Sequence, residues 1–307
     1  MKGAREPVVV ILTALDVEYE AVRTHLGSLR EVMHEKGTLF EVGSPPEGTG
    51  SIALAITGQG NPAAGILAER AIGMFAPEAL LFVGVAGGLH DDLEPGDVVV
   101  ATKVYGYHGG QEDASGFHAR PQAWELPHRI DNLARHVKRQ REWTSLLPAE
   151  PGRQPAVHLR PVAAGEVVLN SRTTPLAEQL RDNYNDAAAI EMESAGVSKA
   201  AHLNDSHPVA TIRGVSDKAD GHKHTADKAG WQPIAAAHAA AFALTLAAKI
   251  IDHARHEEAR HHGTPEAGGL PAAASHGAHP GDRGITAHGD VSGITSTGDG
   301  TINIQRR

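Results

Sequence analysis

Short apolar runs alternate along the chain with segments whose apolar residues recur at helical spacing. Residues 8–12 are all Val, Ile or Leu, the pattern of a strand buried on both faces. Asp16 follows as a helix N-cap, with Glu18 and Glu20 in the first turn, where carboxylates meet the positive end of the helix. Residues 51–57 read as a second strand closing on Gly58-Gln-Gly60, and Asn61-Pro62 then opens a helix over 62–75. Residues 79–85 form a third strand ending in the glycine-rich stretch 84–88, and a Pro95-Gly96 turn introduces a fourth at 97–104. Residues 106–155 lose this regularity. They are polar, broken by Pro and Gly, and hold His108, His118 and Trp124, which predicts a loop-rich insertion with one short helix. Alternation then returns: strand at 161–164, helix from about Thr174, strand near 187–192, helix over 194–202, strand at 208–215, and a long Ala-rich helix from Trp231 to about Ala259. Strands alternating with helices imply βαβ units, hence a three-layer α/β/α domain around a mixed, mostly parallel sheet.

Near residue 260 the pattern changes. Residues 261–280 are rich in Gly, Pro, Ala and His, the composition of a linker. In 281–307 the dipeptide Gly-Asp recurs at 281, 289 and 298, each time followed by isoleucine at 285, 294 and 302. Three regions follow: a domain over 1–260, a linker over 261–280 and a small repeated segment over 281–307. Two readings of that last segment stand side by side. Six glycines between 281 and 300 suit a disordered tail. The β-branched residues, low charge and lack of proline over 285–305 suit short strands that stack with another chain.

Composition narrows the function classes. The 28 Lys and Arg against 37 Asp and Glu leave a net charge of −9, so no general attraction to nucleic acid or acidic membranes is expected. With no cysteine, thiolate metal sites and cysteine nucleophiles are excluded. The chain runs from Met1 straight into the first strand without a secretory apolar stretch, and no run approaches the ~18 apolar residues of a membrane helix. A cytoplasmic protein is expected. His253, His256, His261 and His262 gather at the end of the last helix, but a fraying end beside a linker is a poor metal cage.

Four segments that follow or close strands carry the chemistry: 13–18 with Asp16 and Glu18, the glycine stretch 84–89, Ile190-Glu-Met-Glu193, and 212–220 with Arg213, Ser216, Asp217, Lys218 and Asp220. In a parallel α/β sheet, ligands bind beyond the carboxyl ends of strands. Several carboxylates with no evident nucleophile suit general acid–base hydrolysis.

In this order, Gly-Val-Ala-Gly-Gly-Leu89, Pro-Gly-Asp97, Glu-Met-Glu193-Ser-Ala-Gly and Arg-Gly-Val-Ser-Asp217-Lys-Ala-Asp220 resemble the purine nucleoside phosphorylase/nucleosidase superfamily, nearest to the methylthioadenosine/S-adenosylhomocysteine nucleosidases and AMP nucleosidases. The resemblance covers roughly residues 7–252. It implies that Glu18 activates the attacking water, that Glu193 grips the ribose hydroxyls with Met192 against the sugar, and that Asp217 protonates the purine beside Ser216. Gly87 would line the pocket. Related phosphorylases hold phosphate with an arginine before the glycine turn and often a serine within it. Phe82 and Val85 stand at those positions here, which points to hydrolysis. Glu166 and Val168 replace the aspartate and the base-stacking phenylalanine usual in the nucleosidases. The Tyr105-to-Gly110 stretch and His222 to His224 are expected near the pocket walls. Lys218, Lys223 and Arg213 are candidates for a 5′-phosphate, and Arg213 is equally suited to pairing with an acid inside the fold.

The substrate so implied is an adenine nucleoside or nucleotide, with no metal or organic cofactor and with a homodimer as the assembly. The superfamily includes effectors of bacterial immune systems. Residues 281–307 resemble the amyloid-like signalling motifs at the ends of some of those effectors, which implies a signalling partner with a matching β-prone motif. The alternatives are a housekeeping methylthioadenosine/S-adenosylhomocysteine nucleosidase and a non-catalytic nucleotide-binding module with a self-assembling tail.

Overall fold

The apolar runs assemble into one ten-stranded mixed sheet. The structure, a computed structural model, describes residues 6–148, 153–262, 294–297 and 301–304. In chain order the first unit holds β1 (Val8–Thr13), α1 (Asp16–Arg23), β2 (Gly27–Met33), β3 (Leu39–Ser44), β4 (Ser51–Ile56), α2 (Asn61–Phe75), β5 (Ala79–Gly88) and β6 (Val98–Gly106). Then come β7 (Gly110–Asp113), β8 (Gly116–Ala119), β9 (Gln122–Glu125), α3 (His128–Gln140), β10 (Val157–Ala164), α4 (Pro175–Asn183), β11 (Ala189–Glu191), α5 (Ser194–Leu203), β12 (Val209–Asp217), α6 (Lys223–Lys228) and α7 (Trp231–His262).

The main sheet runs β11-β10-β6-β12-β5-β1-β4-β3-β2, with β9 added beside β6. β1 pairs in parallel with β4 and β5, and β12 with β5, while β6 runs antiparallel to β12. The far end of β5 bends until Gly87 and Gly88 pair with Ile190 and Ala189 of β11. That closure brings the ends of β5, β11 and β12 together.

Side chains alternate across the strands, so each strand feeds two cores. Val9 and Ile11 pack with Phe242, Leu246 and Ile250 of α7 and with Val22 of α1. Val10 and Leu12 point the other way, onto Ala64 and Ala68 of α2 and Val197 of α5. These opposite helical layers make the three-layer arrangement. Helix α7 has the length and hydropathy of a membrane span, yet 78% of its most apolar 18-residue stretch is buried. Its apolar surface is accounted for by packing against β5 and β12.

Three expectations need correction. The irregular stretch 106–155 contains a β7–β8 hairpin, the edge strand β9 and a 13-residue α3, rather than loops with one short helix. Its strands are short and exposed, so no apolar alternation marks them. Residues 27–44, unassigned from the pattern, form the antiparallel pair β2–β3 at the opposite edge. Asp16 is not a cap but the first residue of α1, whose N-cap is Leu15. The capping work falls to Glu18, whose Oε2 accepts the amides of Ala14 and Leu15, both at 2.9 Å.

Residues 263–307 form a separate unit. Within it, β13 (Ile294–Thr297) and β14 (Thr301–Ile304) pair antiparallel, with Ile294 opposite Ile304. Helix α7 takes in residues 261 and 262; the rest of the predicted linker and all three Gly-Asp dipeptides lie outside the described residues.

Candidate active site

A cavity of about 130 Å³ opens where β5, β11 and β12 end. Its walls include Glu18, Gly87, Val168, Met192, Glu193, Ser216 and Asp217, seven of the nine residues singled out from the sequence. They converge because the sheet lays the four motif segments side by side.

The floor is an ionic cluster around Arg213. This side chain is fully buried on β12, its guanidinium 4.3 Å from the centre of the Phe82 ring. Its Nη2 pairs with Glu191 and lies 3.5 Å from Glu193 Oε2. Burial alone would lower the basicity of Arg213, but the charges of Glu191, Glu193 and Glu18 outweigh it and hold the proton firmly. A buried charge is tolerable only when matched in this way.

Glu18 is 2% exposed and held on both oxygens. Oε2 caps α1, and Oε1 accepts the Val85 amide at 2.8 Å. Burial raises its pKa, against the pull of Arg213 and the three amides. Glu193 is pushed up to about 7, first by burial and then by the charge of Glu191, with Arg213 and the Gly60 amide at 3.2 Å opposing. A carboxylate with raised pKa is a stronger base near neutrality. Glu18 and Glu193 both lie in the cavity wall with raised pKa values.

Asp217 sits in a different setting. Its Oδ2 accepts Ser216 Oγ at 2.9 Å and Lys223 Nζ at 3.0 Å, and its Oδ1 accepts the Ala219 amide at 2.9 Å.

The glycines serve close approach rather than a turn. Gly84, Gly87 and Gly88 all lie within β5, and none has positive φ. A Cβ on Gly84 would collide with Arg213 Nη1 and with the Glu18 carboxylate. One on Gly87 would stand 3.2 Å from Asp217 Oδ1.

Two of the nine residues fall elsewhere. Arg213 lies beneath the floor and does not line the cavity, so of its two proposed roles only pairing with acids fits. Lys218 also misses the cavity. Its Nζ donates to Glu94 Oε1 at 3.0 Å and approaches the Asp91 carbonyl at 3.5 Å. Val168 lines the wall but is 57% exposed, and Glu166 is taken up by Asn61, whose Nδ2 donates to it at 2.8 Å. Tyr105, Tyr107, His222 and His224 do not line the cavity either. Tyr107 is buried against Gly165, and Tyr105 donates to Asp186 at 3.0 Å.

The sequence reading missed Glu191, Gln59 and Gln232. Glu191 accepts Ser194 Oγ at 2.6 Å and anchors Arg213; it ends β11 and stands in the same Glu-Met-Glu segment as Glu193, which was its signal in the sequence. Lys223, considered from the sequence only for phosphate, is the single Lys or Arg in the cavity wall, against four carboxylates. Arg213 beneath the floor offsets part of that charge, but the wall itself stays acidic, which disfavours a phosphate dianion as attacking group. Water meets no such barrier.

A model of the phosphorylase superfamily matches residues 8–248. The chain is 25% identical over 224 residues to a 5′-methylthioadenosine/S-adenosylhomocysteine nucleosidase from Staphylococcus carnosus (strain TM300), covering 71% of this chain and 86% of that one. It is 28% identical over 249 residues to the ATP nucleosidase Cap17 of Escherichia coli (strain KTE188), covering 72% of this chain; the match spans only 48% of that protein. Among solved structures, the 5′-methylthioadenosine/S-adenosylhomocysteine nucleosidase from Neisseria meningitidis, in complex with methylthio-immucillin-A, has the same fold, with a TM-score of 0.66 at 22% identity over 79% of this chain and 99% of that one. Futalosine hydrolase of Helicobacter pylori strain 26695 gives 0.64 at 22% identity over 78% and 97%.

Proposed function

The chain belongs to the phosphorylase superfamily, and on that premise we propose that it hydrolyses the N-glycosidic bond of an adenine nucleoside or nucleotide and releases adenine. The observation that carries this reading is the pairing of Glu18 and Glu193, two buried glutamates of raised pKa, with Asp217 in one cavity. Glu18 takes a proton from water as its oxygen attacks the anomeric carbon. Glu193 holds the ribose hydroxyls, and its charge stabilises the positive charge that develops on the sugar as the base departs. Asp217 and Ser216 face the purine, and protonation there turns a poor leaving anion into a neutral base. Met192 and Val168 supply apolar wall.

The finer assignment is an effector that destroys adenine nucleotides in the cytoplasm, working as a homodimer and engaged through residues 281–307 by a partner with a similar segment. The likeness to an ATP nucleosidase and the repeated Gly-Asp segment support it. A housekeeping role on thioether nucleosides is the second reading. The Staphylococcus relative is matched over 86% of its length, and four acidic side chains line a cavity with one lysine, a setting better suited to an uncharged 5′ group.

Both readings meet one assay: free adenine released from ATP, AMP, adenosine, methylthioadenosine and S-adenosylhomocysteine in phosphate-free buffer, by the full chain and by its Asp217→Asn variant. Release from at least one substrate, lost by ~100-fold or more in the variant, is expected. Release from nucleotides favours the effector, and release from thioether nucleosides alone favours housekeeping. Intact substrates throughout would contradict the proposal.

A further inference from the structure

The mechanism above leaves one proton without a source. Every hydrogen bond at Asp217 is given to it: by the Ala219 amide at Oδ1, and by Ser216 and Lys223 at Oδ2. A proton resting on Oδ2 would face an ammonium, which has donors and no acceptor. The ammonium itself carries a transferable proton, and it lines the cavity, 3.0 Å from the carboxylate assigned above to the purine.

Lys223 is also held there by design of the chain. It opens α6, and its backbone amide donates to Asn170 Oδ1 at 3.3 Å, which ties the start of that helix to the cavity wall next to Leu169. Its other charged neighbour is Asp227, one turn along α6 at 3.9 Å. The side chain is 28% exposed, enough to regain a proton from solvent.

Resting on the nucleosidase reading, we infer that Lys223 supplies the proton that the leaving purine takes up, with Asp217 as the relay between them. As the bond from the anomeric carbon to N9 breaks, its electron pair passes into the purine. N7 takes a proton from Asp217, and Asp217 takes one from the Lys223 ammonium, leaving a neutral amine. Water bonds to the anomeric carbon and gives its proton to Glu18. Release of that proton to solvent and uptake of one by Lys223 close the cycle, so that nucleoside and water become free base and sugar.

This differs from a lysine that merely balances charge. Arginine keeps the positive charge but does not surrender a proton. A substrate whose leaving group departs without protonation bypasses the step altogether. The experiment compares the full chain with its Lys223→Gln and Lys223→Arg variants on two substrates, adenosine and 4-nitrophenyl β-ribofuranoside. Both variants are expected to lose about 10²–10⁴-fold in kcat on adenosine, the range of general acid catalysis. Their loss on the nitrophenyl riboside is expected to be smaller by at least ~10-fold. Added ethylamine is expected to restore part of the adenosine activity to Lys223→Ala. An arginine variant as fast as wild type on adenosine would overturn the inference, as would equal losses on both substrates. In either case the nucleosidase reading stands, because wild type still cleaves. A wild type that cleaves neither riboside nor any purine substrate would overturn that reading and this inference with it.

Discussion

Glu193 is made reactive by its surroundings. It is 6% exposed, shares its cavity with Glu191 and Glu18, and has one guanidinium within reach to offset three carboxylates. Its pKa of about 7 therefore has consequences for both activity and stability. The folded form holds the Glu193 proton more tightly than the unfolded chain does. The stability from this group is fully present below the ordinary value of 4.5 and is lost as pH rises through about 7. The loss is on the order of 3 kcal/mol at ~1.4 kcal/mol per pKa unit, with Glu18 acting in the same direction. Denaturant midpoints should fall between pH 5 and pH 8, and Glu193→Gln should flatten that slope. In the same window kcat/KM should rise as the carboxylates ionise, to a plateau above about pH 7. An optimum near pH 5 would contradict the assigned roles. Of these residues, Glu18, Glu193 and Asp217 were legible because each falls within a short motif at a strand end. For Arg213 the choice between a 5′-phosphate and an internal acid stayed open, and Lys218 was offered only for phosphate, because sequence shows that a residue is cationic but not what already neutralises it.

At the scale of elements, the site depends on how closely helices approach the sheet and one another. Helix α5 begins directly after Glu193 and packs on α2, and the contact is made by backbone: a Cβ on Gly196 would collide with the Asn61 carbonyl. Asn61 completes the joint, its Oδ1 accepting the Gly196 amide at 2.8 Å and its Nδ2 donating to the Gly165 carbonyl at 2.6 Å. One side chain thus ties α2, α5 and the segment after β10. Gly196→Ala should cost about 1–3 kcal/mol, the usual penalty for overpacking, measurable by urea denaturation. A stability equal to wild type would show that the helices have room to separate. Elements buried on both faces, such as β1, β4 and β12, were plain from unbroken apolar runs. The β2–β3 pair and the β7–β8 hairpin were not, since edge strands with exposed or interrupted burial carry no period that distinguishes them from loops.

For the molecule as a whole, topology does what no single motif does. β5 carries the glycines, β11 leads to Glu193, β12 ends in Asp217, and the loop after β1 delivers Glu18 through the first turn of α1. The bend that pairs β5 with β11 closes these ends over one cavity. Neither that bend nor the antiparallel entry of β6 could be read from alternation of strands and helices, which suggests only a mostly parallel sheet. The cavity that results is acidic, with Glu18, Glu191, Glu193 and Asp217 against Lys223, and Phe82 lies beneath it stacked on Arg213. This is a site built for water as nucleophile. The most direct measurement is the identity of the sugar product when the full chain cleaves an adenine nucleoside in excess inorganic phosphate, followed by ³¹P NMR. Free sugar at a rate unchanged by phosphate is the predicted result. Accumulation of a ribosyl 1-phosphate, with turnover that rises with phosphate, would contradict the account and make the enzyme a phosphorylase.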